Sequence, residues 1–499
     1  MELNKNSYAE LVETLGEPGR ERLEAFFADF DSHFAVSKSE KRKFRSDYER
    51  AIALLLRRGV SLEEVLERLS MENLGGFYAR PAVTWFPLDD AAKIYPISME
   101  HGRQLMFRLS VYLKEDVVPE LLQMALTFTI QRFPSFATTL KKGVFWHFLD
   151  TVKKRYPIEE ESGFPCRPIK VSISGSNSFR LTYYQKRISA EFFHVLTDGT
   201  GGLIFLKTLT AEYLRLLGVK RTSPPTEDLW EVTDTPTGEE FENTFVKVEK
   251  AKNASGFGGK PALQMNGRMC RRKPCRLLHF KMDSARLCAV AKRYGTTVNT
   301  YLLSLMFLAC RAATDELEGD IHIQVPVNMR KFYPSRTVRN FSMYCGVRIP
   351  VESMPDREGL IREISTQMEQ KADKESMHEM ITAAVNIVSA IRLIPLIIKQ
   401  PVAKMAYGFL GEKLYTTTLS NLGAVYLPPE LEAHVTSMDF SLGAQMTNRL
   451  ACSVVSFGEV STFSISKMTA DPTFEEKMYR YLQEDGIEVR VEGSELFAR

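Results

Sequence analysis

Residues Phe192 to Gly199 read FFHVLTDG and stand between two runs of different period. Upstream, Arg187 to His194 mixes apolar and polar residues in rough alternation and includes an aromatic pair near its end. That pattern predicts a half-buried strand. Downstream, Thr200 to Leu217 carries Leu203, Leu206, Leu209, Tyr213 and Leu217 at helical spacing, and Gly218 follows as a stop signal. His194 therefore falls at the end of a strand, in or beside a connection that needs glycines. A polar imidazole at a strand exit is where a fold can hold a general base rigidly and still leave it open to a ligand.

A His, three residues, an Asp and a Gly form a short motif, and further matches accompany it. Ile321 to Arg330 reads IHIQVPVNMR, and Arg339 to Pro350 reads RNFSMYCGVRIP. Ser420-Asn421-Leu422-Gly423 follows at a distance. The first segment resembles the HxxxDG signature of the chloramphenicol-acetyltransferase-like acyltransferases. That superfamily holds condensation domains of peptide synthetases, alcohol acyltransferases, wax ester synthases and polyketide-associated acyltransferases. Pro326-Val327-Asn328-Met329-Arg330 and Asn340-Phe341 resemble a strand pair of the condensation domains. Ser420-Asn421 is similar to a turn of the wax ester synthases. The resemblance covers roughly residues 80 to 499, in family order. One departure is clear: peptide-forming condensation domains usually carry two adjacent His, and here the first of those positions is Phe193.

The resemblance implies an α/β (α+β) architecture. Two chloramphenicol-acetyltransferase-like lobes, each a mixed sheet with flanking helices, would surround a central channel. A helical N-terminal extension over 1–78 would precede a first lobe over 79–220 that carries the motif. A linker over 221–274, rich in Pro, Thr, Gly, Lys and Glu, would lead to a second lobe over 275–499. Within the extension, Ser7–Phe30 and Ser39–Arg58 read as helices, and a third starts at Ser61 with Glu64 placed for a capping box. The extension reads as a collar packed on a lobe, with a docking module as the alternative. In the first lobe, Phe107–Leu113 and Phe179–Tyr184 read as strands and Val118–Phe133 as a helix. In the second, Leu277–Met282 reads as a strand, and Asp283 and Thr296 or Thr297 as helix caps. Residues 386–411 are apolar but broken by Arg392, Pro395, Lys399, Pro401 and Lys404. They read as short buried or lobe-bridging helices, or else as a surface for an acyl chain or a membrane.

Composition removes several function classes. With 65 basic and 62 acidic residues the net charge is +3, too close to balance to imply a nucleic-acid partner. The N-terminus has no basic run followed by an apolar core, so a secretory signal is not expected. No apolar run reaches the length of a membrane span. Seven scattered Cys favour reduced thiols and a cytoplasmic setting. Cys270, Cys275, His279 and Cys288 do not have a zinc spacing, so no metal is expected. The glycines at 199–202 and 256–259 lack the spacing of a nucleotide loop, and no G-x-S-x-G elbow occurs.

The chemistry expected is acyl transfer by direct attack. It needs a base for the acceptor proton, donors for the tetrahedral oxyanion, and exclusion of water. The catalytic set is His194, Asp198 and Gly199, with His194 as base toward an alcohol or amine. By the resemblance, Asp198 pairs with Arg330 and holds the turn that presents His194. Gly199 is expected to allow a close or left-handed backbone and to offer an N–H. Ser420 and Asn421 are candidate oxyanion or donor-binding groups. No bound cofactor is expected. The co-substrate is an acyl-CoA or a phosphopantetheine thioester, with acyl-CoA preferred and an acyl-carrier protein as the other source. An alcohol O-acyltransferase is the leading reading. Alternatives are an amide-forming condensation enzyme and a carrier-binding module without activity. A membrane surface stays open as a further partner.

Overall fold

The strand Arg187–Phe193 is paired along both edges, with Met106–Leu113 on one side and Phe179–Tyr184 on the other, both antiparallel. A computed structural model describes residues 6–80, 84–93, 95–98, 105–169, 177–224, 226–255, 258–270, 276–401, 412–443 and 448–494. The five-stranded sheet of the first lobe runs Val435–Leu442, Met106–Leu113, Arg187–Phe193, Phe179–Tyr184, Ile158–Glu160. Helix Gly199–Leu217 lies against this sheet, and Gly202 marks the closest approach. A Cβ there would stand 3.1 Å from the rings of Phe107 and Phe192. Helix Pro119–Arg132 packs beside it.

The strand is not half-buried, as its alternation suggested. Only its first residue, Arg187, is partly exposed. The second sheet lies over the polar face: Ser453 Oγ donates to Phe440 O at 2.5 Å and Thr462 Oγ1 to Met438 O at 3.0 Å. The polar residues of the alternation are paired in the interior instead. Arg108 meets Glu161 at 2.6 Å and Glu191 at 3.5 Å, and Arg180 meets Glu191 at 2.8 Å. Alternation reports two chemically different faces, not which of them meets water.

The second lobe holds a seven-stranded sheet. Its order is Ser342–Pro350, Asp320–Asn328, Thr417–Val425, Leu450–Phe457, Val460–Lys467, Arg276–Asp283, Arg490–Gly493. Helix Val298–Ala312 packs against this sheet and against helices Arg357–Lys371 and Thr473–Glu484. Thr297 caps the first of these through its hydroxyl, which accepts from Thr300 N. Asp283 caps helix Ser284–Arg293 in the same way. The two lobes exchange chain. Strand Val435–Leu442 lies in sequence between two strands of the second sheet, yet it pairs with Met106–Leu113 of the first. A smaller three-stranded sheet has the order Trp85–Pro87, His147–Thr151, Thr138–Lys142.

The N-terminal helices share one core with the first lobe. Leu23, Phe27, Phe34, Phe44, Tyr48 and Ile52 join the cluster that includes Phe128 and Phe205. Tyr48 meets the Phe128 ring at 6.2 Å, and Arg155 pairs with Asp47 at 2.5 Å. The first long helix read from sequence is broken into Asn6–Thr14, Gly16–Ala28 and Phe30–His33, with Gly16 at φ +67 at the first break. At Ser61 only half of the capping box forms: the hydroxyl accepts from Glu64 N, but the Glu64 carboxylate turns to Arg68. The connection over 221–274 has more core than its composition suggested. Trp230 stacks on Phe133 at 5.0 Å, Phe241 and Phe245 are buried, and Glu240 pairs with Arg132 in the interior at 2.6 Å. Among the described residues no helix is long and apolar enough to cross a membrane.

Candidate active site

His194 is the first residue past its strand, and its N–H donates to Leu105 O at 2.8 Å. The ring lies against Tyr95 (5.3 Å) and Phe107 (5.2 Å). Its Nδ1 is 2.7 Å from Asn340 Oδ1. Asn340 is buried, and its Nδ2 donates to Asp89 Oδ2 at 3.2 Å. Asp89 is buried too; its Oδ1 accepts from Ala92 N at 2.7 Å, and the Arg339 guanidinium stands 3.6 Å from Oδ2. Burial pushes the Asp89 carboxyl up, against the pull of Arg339 and its hydrogen bonds.

This chain of contacts fixes a tautomer. A carboxylate accepts only, so the Asn340 NH₂ must face Asp89 and its carbonyl oxygen must face His194. His194 Nδ1 then carries the proton as donor, and Nε2 keeps its lone pair. The sequence shows Asn340 within a motif and gives neither Asn340 nor Asp89 a role at His194. Asp89 and Asn340 are 251 positions apart. Nothing in local spacing joins them.

Asp198 caps the motif helix: its Oδ1 accepts from Gly201 N at 2.9 Å. Its Oδ2 accepts from Arg330 Nη1 at 2.8 Å and from Phe341 N at 2.8 Å. Arg330 also donates to Thr337 O and Arg339 O, each at 2.7 Å. One carboxylate and one guanidinium thus tie the motif turn to the segment that presents Asn340. Thr197 Oγ1 adds a bond to Val338 O at 2.5 Å.

Gly199 is the first helical residue and is not left-handed, so of the two alternatives expected there only a close approach remains. A Cβ there would come within 2.7 Å of Leu422 Cδ2, a side-chain methyl. The glycine that backbone packing demands is Gly201, where a Cβ would lie 2.0 Å from Val338 O. Ser420 and Asn421 lie on strand Thr417–Val425, which is bulged between Asn421 and Ala424. Asn421 Oδ1 accepts from Gly423 N at 2.8 Å, and its Nδ2 is 3.3 Å from Asn299 Oδ1. Leu422, inside the bulge, is the residue of this strand that meets Gly199. Cys275, one of the four residues weighed as a metal set, lies outside the described residues.

No family model matches this sequence, and no curated protein matches it. Solved structures do match its fold. A trichothecene 15-O-acetyltransferase from Fusarium sporotrichioides superposes with a TM-score of 0.52 at 12% identity, over 81% of this chain and 96% of that one. The first condensation domain of the calcium-dependent antibiotic synthetase gives 0.52 at 12% identity, over 82% and 100%. The chain has the condensation-domain fold. A starter condensation domain of rhizomide synthetase, solved with C8-CoA and Leu-SNAC, gives 0.51 at 10% identity, over 81% and 94%.

In this condensation-type fold the candidate site is shared between lobes. His194, Asp198 and Gly199 come from the first, and Arg330 and Asn340 from the second; Ser420 and Asn421 lie on the second-lobe strand whose Leu422 meets Gly199. The His194 environment is complete only when both are docked. Phe193, at the position of the first His in peptide-forming condensation domains, is 1% exposed and part of the first-lobe core.

Proposed function

We propose that this protein transfers an acyl group from a thioester to an alcohol by direct attack, with His194 as general base. The observation that carries the reading is the His194–Asn340–Asp89 chain, which orients the ring and places the lone pair of its neutral form on Nε2. The acceptor O–H gives its proton to Nε2 as its oxygen bonds to the thioester carbonyl carbon. The tetrahedral oxyanion collapses, the C–S bond breaks, and the thiolate takes the proton from His194. No enzyme nucleophile is consumed. Ser420 Oγ is the candidate donor to the oxyanion. Asp198, Arg330 and Asn340 are positioning residues.

An acyl-CoA is the preferred donor. The C8-CoA complex among the matching structures supports that choice, and the 15-O-acetyltransferase supports an alcohol acceptor. An amide-forming reaction with a carrier-bound donor is the second reading. Matching condensation domains favour it, and the apolar, buried Phe193 counts against it. The test is turnover and thermal stability of the purified protein against a panel of acyl-CoAs and acyl-carrier proteins. Acyl-CoAs should raise the unfolding midpoint by mass action and support transfer to alcohols. His194→Ala should fold normally and lose transfer by about 10² to 10⁴. Turnover with carrier-bound donors alone would select the second reading. No turnover with either, or full activity in His194→Ala, would remove the catalytic role.

A further inference from the structure

Large apolar side chains are exposed together where the two lobes meet on one surface. At the tip of the hairpin between Thr138–Lys142 and His147–Thr151, Val144 is 71% exposed and Phe145 41%. Beside it, in the second lobe, Leu393 is 71%, Ile397 76% and Ile398 57% exposed. The two segments are docked on each other. Leu396 N donates to Val144 O at 2.8 Å, Lys399 Nζ donates to Phe145 O at 2.8 Å, and Lys399 lies 3.3 Å from the Trp146 ring centroid. Leu396 is buried in this contact. These residues could have been arranged with Leu393 and Ile397 inward. Instead one aliphatic residue serves the docking, and its neighbours face solvent.

The segments that form this face carry basic but no acidic residues. No Asp or Glu lies between Glu379 and Glu412, nor between Glu120 and Asp150. Arg392 and Lys142 are exposed beside the apolar residues. An apolar surface bordered by the exposed cations Lys142 and Arg392, with the nearby Asp90 and Asp150 each paired to a lysine, fits an anionic lipid interface, where side chains enter the acyl boundary and cations meet phosphates. It fits a second copy of the same face poorly, because a two-fold contact sets two surfaces that each carry Arg392 and Lys142 against each other.

The face also borders the candidate site. Lys93 reaches the Trp146 ring at 5.7 Å, and Tyr95, two residues on, lies against the His194 ring. We propose that this face seats the protein on an anionic lipid bilayer, with Val144, Leu393, Ile397 and Ile398 in the interface and Lys142 and Arg392 at the lipid phosphates. Docked this way, the His194 site lies beside the membrane.

The experiment is cosedimentation of the full chain with phosphatidylcholine vesicles, with and without phosphatidylserine. The wild type should sediment with the serine-lipid vesicles, less with phosphatidylcholine alone, and less at high salt. A triple variant, Val144→Ser with Leu393→Ser and Ile397→Ser, should bind about tenfold or more weakly with an unchanged unfolding midpoint. Lys142→Gln with Arg392→Gln should remove the phosphatidylserine dependence and spare the rest. A wild type that stays in solution with both vesicles overturns the proposal, as does a triple variant that binds equally. A wild-type dimer that the triple variant dissolves, seen by light scattering, overturns it in favour of a self-interface. Binding is read without turnover, so the outcome is independent of the acyl-transfer assignment.

Discussion

Asn340 Oδ1 sits 2.7 Å from His194 Nδ1, and the two residues belong to different lobes. The imidazole is oriented by an amide, and the amide is oriented by Asp89 from the opposite side. An amide has a donor end and an acceptor end, so it transmits the demand of the carboxylate to the ring without placing a charge on His194. In the neutral ring the arrangement puts the proton on Nδ1 and the lone pair on the outer nitrogen. That is the form a base needs before the acceptor gives up its proton.

Asn340→Ala should therefore lower transfer without removing the base. With Nδ1 unheld, both tautomers and other ring orientations become accessible, and kcat should fall by about 10- to 100-fold, short of the loss for His194→Ala. The donor KM should change little. Measuring kcat and KM across pH separates positioning from a purely structural role. If kcat is unchanged in the folded variant, Asn340 does not position His194.

Asp198→Ala and Arg330→Ala should each destabilise the fold, because each leaves a buried partner uncompensated. Removing one side of such a pair costs about 3–5 kcal/mol. The double variant should lose less than the sum, by about 1–3 kcal/mol, since both single changes break the 2.8 Å contact. Denaturant unfolding of the four proteins measures this coupling. Simple additivity would show that the pair does not contribute as a unit.

The glycines of the motif should separate cleanly. Gly201→Ala drives a Cβ toward the Val338 carbonyl, which is backbone and cannot rotate away. A loss of about 1–3 kcal/mol is expected, and activity should fall with it because Val338 is two residues from Asn340. Gly199→Ala meets only a methyl of Leu422, which can move, and should stay within about 1 kcal/mol of wild type. Thermal unfolding of both variants is the check. Equal loss in the two would mean that the helix start, not the lobe contact, sets the demand for glycine.

Acid should weaken the second lobe through His322. Burial, and then the Arg348 cation, push its imidazole down from 6.5 to about 4. Below pH 6.5 the unfolded imidazole takes up a proton and the folded one does not. The unfolded state is then favoured increasingly as pH falls from 6.5 to about 4, and no further below that. The full effect is about 3 kcal/mol. His322→Gln should flatten the fall in unfolding midpoint between pH 7 and 5, whatever its midpoint at pH 7. An unchanged slope would place the acid sensitivity elsewhere.

Much of the local structure was legible because it is dictated locally. The run from Thr200 to Leu217 has one apolar stripe and a glycine stop, and it forms helix Gly199–Leu217 ending at Gly218, φ +100. Asp283 and Thr297 cap their helices because a side-chain oxygen three residues ahead of a free N–H needs no tertiary help. The strand exit at His194 could be read the same way, from a change of period.

What the sequence alone determined, then, was the set of elements, the two-lobe class of fold through its motifs, and His194 as the residue to examine. The tertiary structure decided which groups surround it. Asp89, Asn340 and Arg339 come together only when the lobes dock, and strand Val435–Leu442 joins a sheet more than 300 residues earlier in the chain. It also decided burial: the polar face of Arg187–Phe193 is covered by the second sheet and satisfied by ion pairs. Periodicity records a difference between two faces of one element. What covers each face, and which distant side chain completes its hydrogen bonds, is a property of non-local packing, and no short window of sequence contains it.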